Sequence, residues 1–171
     1  GWNHDVMASP YDRLPAAAEK DVRKAVWNLS RNSAGIYLTF STDASEIRVR
    51  YQVAGGIQMP HMPATGVSGL DLYMENVSGE QLTWCAGRYH FGDTVSYTFT
   101  DLHSRHGSGA SARTYRLYLP LYNSVNWLEI GISSENDFHT VSSESKKPVV
   151  IYGTSIAQGG CASRPGMAWT N

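Results

Sequence analysis

The chain is poor in cysteine and in charge, and it has no long apolar run. Its 171 residues include two cysteines, Cys85 and Cys161. That number excludes a disulfide-dense small scaffold, and two positions so distant in sequence do not by themselves define a bridge. Two cysteines and six scattered histidines give no metal-ligand spacing. No metal and no other cofactor is therefore expected. Charged residues make up 17% of the chain and the formal net charge is −1. Nothing in that balance points to nucleic acid or an anionic membrane surface as a partner. No apolar stretch approaches the roughly 20 residues that a bilayer span requires.

Aromatic residues, at 11%, stand out against this low charge, together with 16 glycines. Such a composition suits short strands joined by turns. The length fits one good-sized domain with a substantial core. The chain starts at Gly1 rather than Met. The start is therefore expected not to be the natural one, with any signal peptide already removed.

Residues 1–33 are irregular in pattern. Pro15 is placed to start a short helix through Ala16, Ala17 and Ala18, and an extended arm wrapping the domain is the alternative. From residue 34 the period becomes two. Ile36, Leu38 and Phe40 alternate with Tyr37 and Thr39, and Ile47, Val49, Tyr51 and Val53 alternate with Arg48, Arg50 and Gln52. Leu70, Leu72 and Met74 continue the theme, followed by 82–85, 95–99, 115–119 and 127–132. Turn signals such as Gly55-Gly56, Ser78-Gly79 and Gly92-Asp93 separate the runs. Seven or eight short strands with almost no helical period predict an all-β fold, an antiparallel sandwich or jelly roll. Residues 54–68, rich in Gly, Pro and Met, form a loop long enough to suggest a functional role.

The polar stretch 142–148 predicts a boundary, dividing the chain into a sandwich at 1–147 and a second unit starting at 148–171. Pro148 leads into Val149-Val150-Ile151-Tyr152, a continuous apolar run of the kind a central parallel strand shows. Gly153-Thr154-Ser155 follows it. A turn of this form presents a serine at the carboxyl end of a strand, and Gly159-Gly160 lets backbone approach a substrate closely. A serine hydroxyl is a weak nucleophile that needs a base and oxyanion donors. By itself, a Gly-x-Ser turn is more often structural than catalytic. Ala157 also stands where the nucleophile elbow of α/β-hydrolases has its second glycine.

The run Tyr152-Gly153-Thr154-Ser155-Ile156-Ala157-Gln158-Gly159 resembles the first block of the SGNH hydrolases, also called GDSL-type esterases. Cys161 to Ala168, through Arg164, resembles a bacterial subfamily of these enzymes. Gly69-Leu70-Asp71-Leu72-Tyr73 matches the Gly-x-Asp-Leu-Tyr signature of the domain found in front of that hydrolase. Segments 27–35 and 59–66 read like the same domain. The resemblance implies a jelly-roll-like sandwich followed by the first strand of an incomplete flavodoxin-like α/β hydrolase. It implies Ser155 as nucleophile and as one backbone oxyanion donor. A later glycine, a later asparagine and a histidine base complete such a site, and none of those blocks is on this chain. Thr154 departs from the Asp of the commonest motif.

His61, His103, His106 and His139 all precede Ser155, whereas the catalytic histidine of the resembled family follows it. Gly69, Asp71, Tyr73, His61 and Arg164 are expected as structural or interface residues. By alternation Asp71 and Tyr73 lie on the polar face of their strand. They serve there either as a structural hydrogen-bond pair or as part of a face that packs on the hydrolase unit. Trp2, Trp27, Trp84, Trp127 and Trp169 are expected mainly in core packing, with stacking on sugar rings as the alternative.

The expected parent protein is a secreted or periplasmic serine esterase that deacetylates or otherwise deacylates a carbohydrate ester. The expected partners are that substrate and the rest of the hydrolase domain, without which this chain alone is inactive. The competing expectation is a non-catalytic carbohydrate-binding or interaction module.

Overall fold

Strict alternation of apolar side chains builds two facing sheets. The computed structural model describes residues 6–76, 78–79, 81–102, 111–142 and 151–171. Among them, nine strands run as β1 (Tyr37–Thr42), β2 (Ile47–Val53), β3 (Asp71–Glu75), β4 (Leu82–Cys85), β5 (Gly87–His90), β6 (Val95–Phe99), β7 (Arg113–Tyr118), β8 (Val125–Gly131) and β9 (Phe138–Thr140). They form a five-stranded sheet in the order β4-β3-β7-β1-β9 and a four-stranded sheet in the order β5-β6-β2-β8. Every pairing is antiparallel. This is the all-β sandwich that the alternation predicts.

The inward residues fill the space between the sheets. Ile47, Val49 and Tyr51 of β2 are fully buried, and so are Leu72 of β3 and Tyr115 and Leu117 of β7. Phe40, Val95, Phe99 and Leu119 belong to the same cluster. Burying each such side chain contributes about 1.5–3 kcal/mol, which makes this cluster the main source of stability. Arg48 and Arg50 point outward from β2, where Arg50 meets Glu129 across the strand pair at 3.0 Å.

β5 and β9 are not visible in the apolar pattern. Both are short edge strands whose residues are largely exposed, so they carry no alternation to read. Only backbone pairing, with β6 and β1 respectively, makes them strands.

The N-terminal region holds a 3₁₀ helix at Ala16–Lys20, which starts after Pro15, and a helix α1 at Lys24–Ser30 that buries Trp27. The long loop 54–68 is ordered by a bridge between Met59 and Met62 and by a single turn, α2 (Ala64–Val67). Asn123 organises this region from below. Its amide donates to Gly56 O at 3.0 Å and to Ser68 Oγ at 2.9 Å, and its carbonyl oxygen accepts from Gly55 N at 2.8 Å.

Two expectations change. Of the tryptophans, Trp27 is buried, but Trp84, Trp127 and Trp169 are 44%, 36% and 64% exposed, and Trp2 lies outside the described residues. Trp84 stands in register with Tyr73 on the outward face of β4, and Trp127 is outward on β8, so neither strand directs its ring into the core. Val149 and Val150 lie outside the described residues. Ile151 and Tyr152 carry no strand pairing, because a parallel strand needs neighbours that the described residues do not supply.

Candidate functional site: the seam around Ser155 and Asp71

Residues 151–171 lie along one end of the sandwich, and polar contacts bind them to it. Ser155 opens a four-residue helix, α3 (Ser155–Gln158), with Thr154 as its N-cap residue. Ser155 is exposed. Thr154 O accepts the N–H groups of Ala157 and Gln158 at 3.0 and 3.3 Å, which closes the turn. The Gly159 backbone, at φ +99, ends the helix in the left-handed region.

The sandwich reaches α3 from two sides. Tyr122 Oη donates to Ser155 O at 2.8 Å. Gln158 Nε2 donates to Leu121 O at 3.0 Å, and Arg13 Nη2 donates to Gln158 Oε1 at 3.1 Å. Arg13 is itself tied to the α1 region through Leu29 O and Asn32 O, at 2.6 and 2.9 Å. Tyr122 and Arg13 stand out only in three dimensions. In the sequence they are an ordinary turn tyrosine and one arginine among many.

The second anchor is built on β3. Asp71 is 2% exposed. Its Oδ1 accepts from Trp84 Nε1 at 2.6 Å, and its Oδ2 accepts from Arg164 Nε at 3.0 Å, Gly166 N at 2.9 Å and Tyr73 Oη at 3.3 Å. The Arg164 guanidinium lies over the Trp84 ring, 4.2 Å from its centroid. Burial pushes the Asp71 carboxyl up from the ordinary range, against the pull of Arg164 and of its hydrogen-bond donors. Alternation puts Asp71 on the outer face of the sheet. Segment 164–166 roofs that face, so the position is dry rather than solvated. Thr65 Oγ1 adds a bond to Ser163 O at 2.6 Å.

The structure thus brings Asp71, Tyr73 and Arg164 together and sets Ser155 apart from them on α3. Gly69 is buried beside β3, where a Cβ would strike the Thr65 backbone and come within 2.7 Å of the Tyr97 hydroxyl. His61 is exposed on its loop and makes no part of either anchor. His103 and His106 lie outside the described residues. Cys85 is buried and Cys161 exposed, and the two are not joined in a disulfide.

A cavity of about 480 Å³ opens between the N-terminal arm and the seam, lined by Asp12, Arg13, Gly35, Tyr37, Ile151 and Asn171 among others. Ser155 does not line it. Asp12 is 4% exposed and lies 2.9 Å from Arg31 Nη1, an ion pair by distance that lacks hydrogen-bond geometry. Among the described residues no helix is long and apolar enough to cross a membrane.

Residues 1–138 match the family GxDLY, described as the N-terminus of Esterase_SGNH_hydro-type. Residues 146–171 match Lipase_GDSL_3, the GDSL-like Lipase/Acylhydrolase family. Among solved structures, a protein of Bacteroides ovatus ATCC 8483 described as a GDSL-like lipase is similar at 31% identity and a TM-score of 0.82, over 94% of this chain and 45% of that one. The salicylyl-acyltransferase SsfX3 from a tetracycline biosynthetic pathway shares the fold at 17% identity and a TM-score of 0.51, over 78% of this chain and 34% of its own. The chain therefore spans less than half the length of these relatives. No curated protein matches it significantly.

Proposed function

The chain belongs to the GxDLY family, which forms the N-terminus of SGNH-type esterases, and from that premise we propose that Ser155 is the nucleophile of a serine ester hydrolase acting on acylated carbohydrates. The observation that carries this reading is the exposed Ser155 at the head of α3, within the segment that matches the GDSL-like lipase and acylhydrolase family. The serine hydroxyl attacks the ester carbonyl, and its proton passes to a histidine base from the rest of the hydrolase domain. The alcohol of the carbohydrate leaves as the acyl-enzyme forms. Water then attacks the acyl group, releasing the acid and restoring the serine. The backbone N–H of Ser155 is one oxyanion donor, and a glycine and an asparagine from the rest of the hydrolase domain supply the others.

In this reading residues 1–147 are the accessory sandwich and 148–171 begin the hydrolase domain. The parent enzyme is secreted or periplasmic, and the present chain alone is inactive. A sugar-binding module is the second reading. The exposure of Trp84 speaks for it, but Arg164 already covers one face of that ring.

The test is hydrolysis of p-nitrophenyl acetate and of an acetylated carbohydrate by the full-length protein, with a Ser155→Ala control. The control is expected to lose at least about 10³-fold in kcat. Turnover that survives the substitution removes Ser155 from the mechanism.

A further inference from the structure

We propose that Tyr122 is a positioning residue for Ser155, its hydroxyl fixing the peptide that follows the nucleophile. The inference rests on the reading of Ser155 as nucleophile. Tyr122 lies on the turn between β7 and β8, and its backbone N–H donates to Val67 O at 3.0 Å, which ties it to α2. Its neighbour Asn123 is 2% exposed and bonded on both sides of its amide, so this turn is a rigid platform.

From that platform the Tyr122 hydroxyl donates to Ser155 O at 2.8 Å. The same carbonyl accepts the N–H of Gly160, also at 2.8 Å. Two donors from different directions hold one oxygen. A peptide unit is planar and stiff, so fixing its oxygen fixes the orientation of the Ser155 Cα and the origin of the Ser155 side chain. A Cβ at residue 160 would come within 2.9 Å of Ser155 O and 3.3 Å of the Tyr122 hydroxyl, so only glycine leaves this arrangement intact. At the other end of α3, Leu121 O accepts from Gln158. Adjacent residues 121 and 122 thus hold both ends of the nucleophile helix.

The accessory sandwich therefore does more than stand in front of the catalytic domain: it sets the geometry of the nucleophile. Geometry of this kind matters steeply, because a displacement of about 1 Å costs on the order of 10²-fold in rate. Loss of one of the two holding bonds corresponds to a smaller displacement and about a tenfold loss.

The test uses the full-length protein, with Tyr122→Phe and Ser155→Ala measured side by side. Three quantities are read: kcat and KM for p-nitrophenyl acetate, the rate at which a fluorophosphonate labels Ser155, and amide hydrogen exchange in the peptide covering 153–160. Tyr122→Phe is expected to lower kcat and the labelling rate about tenfold, leave KM within about twofold, keep Tm unchanged and speed exchange at 153–160. Wild-type kcat, labelling and exchange in that variant overturn the proposal. So does a loss of activity that tracks a lowered Tm, since that describes a hydroxyl acting on stability alone. If Ser155→Ala retains turnover and labelling, the nucleophile assignment falls and the proposal falls with it. The exchange data separate the two failures, because they report on the Tyr122 bond whatever Ser155 does.

Discussion

The sandwich and the 151–171 segment are held by different balances of force. In the sandwich, apolar side chains face each other and leave water: Phe40, Ile47, Val49, Tyr51, Leu72 and Leu117 are all at 1% exposure or below. In the segment the large apolar side chains face outward. Tyr152, Ile156, Met167 and Trp169 are 87%, 70%, 56% and 64% exposed. What fastens the segment is mainly a set of directed polar bonds, from Tyr122, Arg13, Leu121, Thr65 and Asp71, beside a small apolar cluster in which Ala168 meets Ala34, Met62, Val67 and Leu121. Apolar burial is non-directional and sets overall stability. Hydrogen bonds have preferred distances and angles, so they suit a seam whose task is to place backbone.

The comparison predicts where damage spreads. Leu117→Ala empties a fully buried site between the sheets and should cost about 3 kcal/mol, read as a cooperative fall in stability by denaturant unfolding. Damage confined to one strand would contradict a shared core. Asp71→Ala should act locally. It removes the common acceptor of Trp84, Arg164 and Gly166 and should cost about 2 kcal/mol. The expected signature is faster amide exchange and proteolysis across 151–171, with exchange in β2 and β6 unchanged. Equal loosening in both regions would show that the seam and the core are one cooperative unit.

Asp12 gives the smallest effect and the clearest sign. Burial raises its pKa above the ordinary 3.8, and Arg31 only partly opposes this. The folded state therefore binds that proton more tightly than the unfolded chain does. The favourable contribution is present below pH 3.8 and is lost as pH rises through the elevated folded value. Asp12→Asn should accordingly gain in Tm relative to the parent as pH goes from about 4 to 7. A difference in Tm that stays flat over this range would mean that the Arg31 pairing offsets the burial completely.

Much of the fold is legible residue by residue. β2 announces itself because Ile47, Val49 and Tyr51 alternate with charged partners, and the outward arginines leave one way to orient the strand. β5 and β9 are silent because edge strands with solvent on most sides need no apolar period. The Gly-x-Asp-Leu-Tyr motif is legible as a signature. Its meaning, a buried carboxylate that receives an arginine from beyond residue 160, is not, because alternation alone places Asp71 on a face open to water. The outward tryptophans went against expectation for a related reason: an aromatic residue beside a strand core is read as core unless its register is known.

The sequence by itself determined the all-β class, the inward face of most strands and the location of the serine turn. These follow from short-range periodicity and from the backbone demands of glycine and proline. Only the tertiary structure decided that Tyr122 meets the Ser155 carbonyl and that Asp71 meets Arg164. Those partners are 33 and 93 residues apart, and no local pattern records a contact that exists only once the sheets have packed and the 151–171 segment has folded across their end.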